Sequence, residues 1–575
     1  MSAAKTGEKR RALPSRRPIA AEAFLRALAE HGVDFFFANP GTDFPPIVEA
    51  FTRAERGNVK VPRPVLVPHE NLAVAMAHGA YLMTGRPQAV MVHVNVGTAN
   101  TLNNVINLSR DRVPLILAAG RTPITEQGMF GSRSRPIHWA QEMFDQAGML
   151  REVVKWDYEL RMPEQINDVV ARAYEVAMTS PRGPVYMVLP REPLSAPVGE
   201  TAGASKPRAL PALPHPDPDA VATLAEWIVA AEHPLIVAAG GGATDAVAAL
   251  ARIADRAAIP VVANNARVVV LPSNHPMHFG ADPEPLFSEA DLIIAIESDA
   301  PWYPHLQRLP DRCRVAHIGE DPVFQRYPMR SFASDLSIMA GTGNTLAALD
   351  KVLAERLTSK EARVEPRRSR LADRQQRRRA DLAKISAGVP NKIGKPLLSR
   401  LISEAVGPDA IIFNEYPLLL DHCPREKPGT LYGLSPAGGL GWGVGAALGA
   451  KLAAPDKLIV ATVGDGVYMF SNPTACHWVA EAFKLPVLTI VFNNHRYGAV
   501  RGATLSMFKD GVAGETDGQF LADLEPSPDF AAIARAQGAY GARVERPDEL
   551  ARALAEAKKA VEAGRAALLD VICPD

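Results

Sequence analysis

Cysteine is scarce in this sequence: Cys313, Cys423, Cys476 and Cys573 are the four among 575 residues. They stand far apart, with no CxxC pair and no histidine at zinc spacing, so neither a disulfide framework nor a structural metal cluster is indicated. Reduced thiols in a cytoplasmic protein are the expectation. Net charge is missing as well. Lys plus Arg and Asp plus Glu number 63 each, which removes any global electrostatic case for nucleic acid or a membrane surface. No apolar run reaches the roughly 18 residues of a membrane-spanning helix. What remains is the composition of a globular protein, 47% apolar and 22% charged, too long for one core and hence built of several domains.

Residues 1–17, "MSAAKTGEKRRALPSRR", are basic but lack the apolar segment of a secretory signal and read as a disordered tail. From 18 to 195, helical stretches alternate with the β-rich runs "VDFFFAN", "QAVMVHV", "PLILAAG" and "PVYMVLP". That alternation predicts βαβ units on a parallel sheet. A Pro-rich linker follows over 196–217, and the pattern restarts over 218–358 with "PLIVAAGGG", "IPVVANN" and "DLIIAIES". Gly240, Gly241 and Gly242 lack the G-x-G-x-x-G spacing and read as a tight strand-to-helix turn, so no nicotinamide or flavin is assigned from them. The charge-dense segment 359–392 intersperses acids with its arginines and carries no interleaved aromatics. It reads as a solvated connecting helix, not a nucleic-acid patch. A third α/β unit spans 393–575. The expected fold is therefore α/β, with three doubly wound parallel-sheet domains.

Chemistry is concentrated in the third unit. In "KLIVATVGDG" an apolar run stops at Gly464-Asp465-Gly466, and after 26 residues a second apolar run ends in Asn493-Asn494. Open α/β sheets bind ligands at the carboxyl ends of their strands. A carboxylate and an amide side chain placed there suit a small hard cation such as Mg²⁺, which takes few protein ligands and leaves positions for phosphate oxygens. The glycines let backbone amides approach a diphosphate.

This pairing resembles the cofactor motif of the thiamine diphosphate (ThDP) enzymes, and the resemblance runs over nearly the whole chain after the tail. It implies pyrimidine-binding, middle and diphosphate-binding domains, with Mg²⁺ held by Asp465, the Asn494 side chain and the Arg496 carbonyl. It also places Gly464, Gly466, Val467, Tyr497 and Gly498 at the cofactor. Many relatives carry Ser where this chain has Val467, so any hydroxyl contact to phosphate is missing or replaced there. By the same resemblance Leu440, in "SPAGGLGWGVGAALG", wedges between the two cofactor rings, and the Gly438 carbonyl accepts from the exocyclic amine. Gly439 and Glu415 belong to the same surroundings. Glu70, in "VPHENLAVAMAHG", becomes the acid that bonds the aminopyrimidine; a helix-start acid stabilised by the dipole is the plain alternative for a glutamate so placed.

Three matches favour the benzoylformate decarboxylase branch. Asn39, Pro40, Gly41 and Thr42 resemble that branch's Asn-Pro-Gly-Ser loop, with Thr42 in place of the active-site serine. His93 stands where those decarboxylases carry a catalytic histidine, and the stretches "FNNHRYGAV" and "FNEYP" follow the same branch. The branch's second histidine would correspond to His305. The resemblance therefore implies decarboxylation of a 2-oxo acid with ThDP and Mg²⁺, on a homodimer or homotetramer whose sites pair Glu70 of one subunit with Asp465 of another. An acetolactate synthase-like carboligase, in which FAD could occupy the middle domain, is the alternative. A ThDP-binding relative without turnover is the non-enzymatic one. The side chain of the substrate stays open.

Overall fold

The computed structural model describes residues 17–199, 208–358, 361–516 and 520–574. Nearly all of the basic tail expected at 1–17, and residues 200–207 of the linker, lie outside the described residues. The first sheet comprises β1 (Phe35–Asn39), β2 (Arg63–Leu66), β3 (Gln88–Val92), β4 (Leu115–Arg121), β5 (Asp157–Glu159) and β6 (Pro184–Pro190). The second has β7 (Pro234–Ala238), β8 (Val261–Val262), β9 (Leu292–Ile296), β10 (Arg314–Gly319) and β11 (Leu336–Met339). The third has β12 (Ile411–Glu415), β13 (Leu431–Gly433), β14 (Ile459–Gly464), β15 (Leu488–Asn493), β16 (Tyr540–Val544) and β17 (Ala567–Ile572). Every paired strand within these sheets runs parallel. Central strands such as β3, β7 and β15 are buried along their whole length. This explains why they read as continuous apolar runs: helices cover both faces.

The strand order of the first sheet, β2-β1-β3-β4-β6-β5, is repeated element for element in the third as β13-β12-β14-β15-β17-β16. Each order reverses between its first and third strands, at β1/β3 and at β12/β14. That reversal is the topological switch point where doubly wound sheets open a crevice beyond their strand ends. Asn39 ends β1, Pro40–Thr42 follow it and His93 follows β3; Glu415 ends β12 and Asp465 follows β14. His93 and Asp465 are thus topological counterparts on two separate sheets.

The helix Glu70–Thr84 follows β2, and its counterpart Gly443–Ala453 follows β13. The two pack against each other. Small residues permit the approach: a Cβ on Gly79 would lie 1.8 Å from the Ala446 carbonyl oxygen, and one on Gly449 would lie 1.9 Å from that of Met76. Trp442 closes the crossing, its indole N–H donating to His78 Nδ1 at 2.9 Å. Burial holds His78 neutral by pushing its pKa down to about 3. The helix Glu361–Ser386 ties the second and third sheets together, with Arg367 donating to the Ala257 carbonyl at 2.7 Å, Arg374 pairing with Glu289 at 2.7 Å and Arg378 pairing with Asp421 at 2.6 Å. Several of its arginines are therefore internal fasteners. The four cysteines are buried and none forms a disulfide, and no described helix is long and apolar enough to cross a membrane.

The crossing yields a test. On an exposed helix face Gly→Ala gains up to about 1 kcal/mol of helix propensity. At Gly79 the added methyl meets backbone, and overpacking of that kind costs about 1–3 kcal/mol or more. Gly79→Ala should therefore lower the thermal unfolding midpoint; a variant as stable as the parent would refute this account of the crossing.

Candidate active site

On the third sheet, Asp465 opens a short helix at the end of β14 and is only 3% exposed. One carboxylate oxygen accepts the Gly466 amide at 2.8 Å, while Oδ2 is buried with no hydrogen-bond partner. Burial raises the pKa of this carboxyl, against the opposing amides of Gly466, Arg496 and His495. Asn493 is consumed by structure: its amide group donates to Asp570 at 2.9 Å and Ser527 at 3.2 Å, and its oxygen accepts the His495 amide at 3.1 Å. This shapes a turn in which His495 has φ +60°, leaving Asn494 half-buried just beyond the strand. The following residues are pinned laterally, the Tyr497 amide to the Ala522 carbonyl and the Leu524 amide to that of His495, each at 2.7 Å. The Arg496 carbonyl accepts the Gly498 amide at 3.0 Å, which leaves it a second lone pair. Tyr497 packs over Gly466, where a Cβ would lie 2.5 Å from its ring; a Cβ on Gly464 would meet nothing within 4 Å. Val467 is buried.

The turn that carries Leu440 follows β13. Gly438 (φ +68°) and Gly441 (φ +79°) give it its path. Glu415, fully buried, directs its two oxygens at the amides of Gly441 at 2.8 Å and Gly443 at 2.5 Å. Desolvation pushes its pKa up to about 7. Its contacts are thus with the turn, a role the sequence did not reveal.

The first sheet gathers Thr42, Glu70 and His93. His93 Nδ1 lies 2.5 Å from Asp43 Oδ1, and the other Asp43 oxygen accepts the Val94 amide at 3.3 Å. Two glycines make room for this pair: a Cβ on Gly41 would sit 2.1 Å from His93 Nδ1, and one on Gly120 would sit 1.8 Å from Asp43 Oδ2. The Asp43 hydrogen bond raises the His93 pKa above its ordinary 6.5, overcoming desolvation, and the negative charges of Asp43 and Glu70 add to the pull. Gln141 approaches the other ring nitrogen at 3.4 Å. Thr42, Arg121, His138 and Arg191 line the narrow cleft around the imidazole. Arg191 donates to the carbonyls of Thr42, Gly131 and Ser132. Glu70 is 8% exposed and accepts from Asn100 at 3.1 Å. His305, by contrast, lies exposed on a turn of the middle domain. Asp43 and Gln141 escaped the sequence reading, although the acid directly after Thr42 in "NPGTD" was a usable signal.

Three family profiles match in the order of the three sheets. Those described as "Thiamine pyrophosphate enzyme", N-terminal TPP binding domain, central domain and C-terminal TPP binding domain cover residues 19–149, 221–349 and 416–571. The chain belongs to the thiamine pyrophosphate enzymes. Among its relatives, a protein named a probable 2-ketoarginine decarboxylase from Pseudomonas aeruginosa is 28% identical, over 93% of this chain and 91% of its own. A benzoylformate decarboxylase of the same organism is 26% identical, over 95% and 97%. An acetolactate synthase large subunit from Parasynechococcus marenigrum is 26% identical, over 93% and 85%. The ThDP-dependent 4-hydroxybenzoylformate decarboxylase of Rhodococcus jostii RHA1 shares the fold, with a TM-score of 0.77 at 22% identity over 97% and 99% of the two chains. This chain is accordingly a ThDP enzyme related to 2-oxo acid decarboxylases and acetolactate synthases.

The His93–Asp43 pair makes a signed prediction. Because the folded imidazole has a raised pKa, its contribution to stability is complete below the unfolded value of about 6.5 and is lost as pH rises through the higher folded value. Asp43→Asn should move the His93 titration to lower pH by NMR, and should lower the unfolding midpoint more at pH 6 than at pH 9. An unmoved titration would show that the pair is not coupled.

Proposed function

We propose that the protein decarboxylates a 2-oxo acid, using ThDP and Mg²⁺ in a site shared between two subunits. The observation that carries this reading is the His93–Asp43 pair at the switch point of the first sheet, for which Gly41 and Gly120 leave space. A histidine whose pKa is raised by a hydrogen-bonded carboxylate is suited to giving and taking a proton beside a reacting carbonyl.

The residues present fit the two absent groups. The unpartnered buried Oδ2 of Asp465 calls for a cation, and the Asn494 side chain and Arg496 carbonyl would complete the Mg²⁺ ligands. The open flank of Gly464 leaves backbone accessible to a diphosphate, with Gly466, Val467, Tyr497 and Gly498 around it. ThDP, when bound, would supply a nucleophilic carbon and a sink for the electrons of the C–C bond that breaks. In this reading Glu70 would hold and exchange a proton with the bound cofactor's aminopyrimidine ring, Leu440 would pack against the cofactor and the Gly438 carbonyl would accept from its amine. His93 and Thr42 orient the 2-oxo acid; His93 then delivers the proton that replaces CO₂, while Asp43 holds the imidazole in its tautomer. The Asn39–Thr42 loop forms the wall on that side.

A dimer, or a pair of dimers, would bring Glu70 of one subunit to the Asp465 of its partner. Exposed apolar side chains supply a surface for it: Phe130 and Phe144 on the first domain, Met507, Phe520 and Leu521 on the third. The helix Gly498–Met507 buries none of its residues within the chain. FAD in the middle domain is not favoured, because Gly240, Gly241 and Gly242 lack the G-x-G-x-x-G spacing, although an open cavity lined by that turn, Arg267, Glu297 and Thr342 stands at these strand ends. The buried thiols suit the reducing cytoplasm.

A panel of aliphatic and aromatic 2-oxo acids, with CO₂ and organic products both quantified, tests the reaction; ligated products in place of released aldehyde would favour the acetolactate synthase-like reading. His93→Ala should slow turnover by about 10²- to 10⁴-fold while leaving ThDP affinity within a few fold. Glu70→Gln should retain ThDP yet slow proton exchange at C2 severely, and Asp465→Ala should weaken ThDP and Mg²⁺ together in calorimetric titrations. Normal turnover by Glu70→Gln would eliminate the proposed proton relay, and an active monomer would eliminate the shared site.

A further inference from the structure

The peptide units on either side of Leu440 belong to no helix or strand, so something else must hold them. Glu415 holds the far end of the turn, at Gly441 and Gly443. The near end is held from another domain. Asn103 Nδ2 donates to the Leu440 carbonyl at 2.8 Å. Asn107 exchanges two hydrogen bonds with Gly439, donating to its carbonyl at 2.7 Å and accepting from its amide at 2.9 Å. Gly439 is glycine for this contact, since a Cβ would lie 2.7 Å from the Asn103 carbonyl oxygen and 2.8 Å from Asn107 Oδ1.

Both asparagines stand on the helix Val94–Arg110, which begins directly after His93. Asn100, Asn103, Asn104 and Asn107 recur at the spacing that aligns side chains along one helix face. Asn104 and Asn107 are fully buried, where an unsatisfied amide would be costly. None of that kind is left. Asn107 Nδ2 also donates to Asn104 Oδ1 at 2.8 Å, the Asn104 side chain donates to the Asn71 carbonyl at 3.1 Å, and Asn100 reaches Glu70. One helix thus touches the acid, begins at the histidine and grips the turn. Apolar residues would pack the same interface without this satisfied polar row.

We propose that Asn103 and Asn107 are positioning residues that set where the Leu440 side chain stands against ThDP bound on the third domain of the same chain, and so tie that site to the first domain whose Glu70 and His93 serve the partner subunit's site. The proposal rests on the ThDP reading above. Asn107 must both donate and accept, which neither aspartate nor leucine can do. A displacement of about 1 Å at a reacting group costs on the order of 10²-fold in rate, so loosening the turn acts on the chemistry without removing a catalytic group.

The experiment uses the holoenzyme with Mg²⁺ and ThDP. Exchange of the cofactor C2 proton is followed by quench NMR, ThDP affinity by calorimetry and apoenzyme unfolding by heat, for Asn103→Ala, Leu440→Ala and the double variant. Asn103, half-buried, should tolerate truncation with an unchanged apoenzyme midpoint, yet its C2 exchange should slow by about 10- to 100-fold. The double variant should be no slower than Leu440→Ala alone, because a residue acting through Leu440 has nothing left to position. Asn107→Asp should reproduce the defect where it folds, and Asn103→Ala decides the matter where it does not. Normal exchange in Asn103→Ala, or losses that add in the double variant, would overturn the clamp. Failure of the wild-type protein to bind ThDP would overturn the reading of the site, a distinguishable result.

Discussion

The approach of two helices to backbone contact at Gly79 and Gly449 is the constraint on which the rest depends. It locks the first domain to the third with the strand ends of both sheets in fixed relation. Two of the candidate site's parts are mounted directly on this crossing: Glu70 begins one of its helices, and the Leu440 turn runs into the other. A larger residue at either glycine would have to push the facing backbone away from a Cβ contact of 1.8–1.9 Å, and the asparagine contacts to Gly439 at 2.7–2.9 Å cross the same pair of domains.

The second theme is how the fold keeps carboxylates inside. Asp43, Glu415 and Asp465 are all nearly inaccessible, and burial of a charge is unfavourable unless it is hydrogen-bonded or paired. Each accepts backbone amides at a strand end: Val94 for Asp43, Gly441 and Gly443 for Glu415, Gly466 for Asp465. The same feature that stabilises them aims them, since amide donors do not rotate as side chains do. Asp43 has a histidine as its further partner and Glu415 is spent wholly on the turn. Asp465 alone of the three keeps a buried oxygen without a partner, which is the observation behind the cation proposed there.

The α/β class was legible because buried parallel strands must be continuous apolar runs, and "QAVMV", "LTIVFN" and "IVATVG" could be little else between glycine and proline boundaries. The GDG and Asn-Asn stretches stood at the ends of two such runs, so their place at the carboxyl ends of strands followed from strand period alone. The identical strand order of the first and third sheets was not legible, because strand order depends on which edges pair and local pattern does not encode pairing. Asn103 and Asn107 read as an ordinary polar helix face for the same reason.

By itself the sequence determined that there are three α/β units, that the third ends two strands in a ligand-binding motif, and which family supplies the pattern. These are properties of local period, length and short spacing. Tertiary structure decided that Asp43 holds His93, that Glu415 serves the turn, that the Arg-rich helix fastens domains, and that a helix of the first domain grips Gly439 of the third. Those facts join residues separated by 26 to 332 positions, and only the packed chain brings such residues within hydrogen-bonding reach.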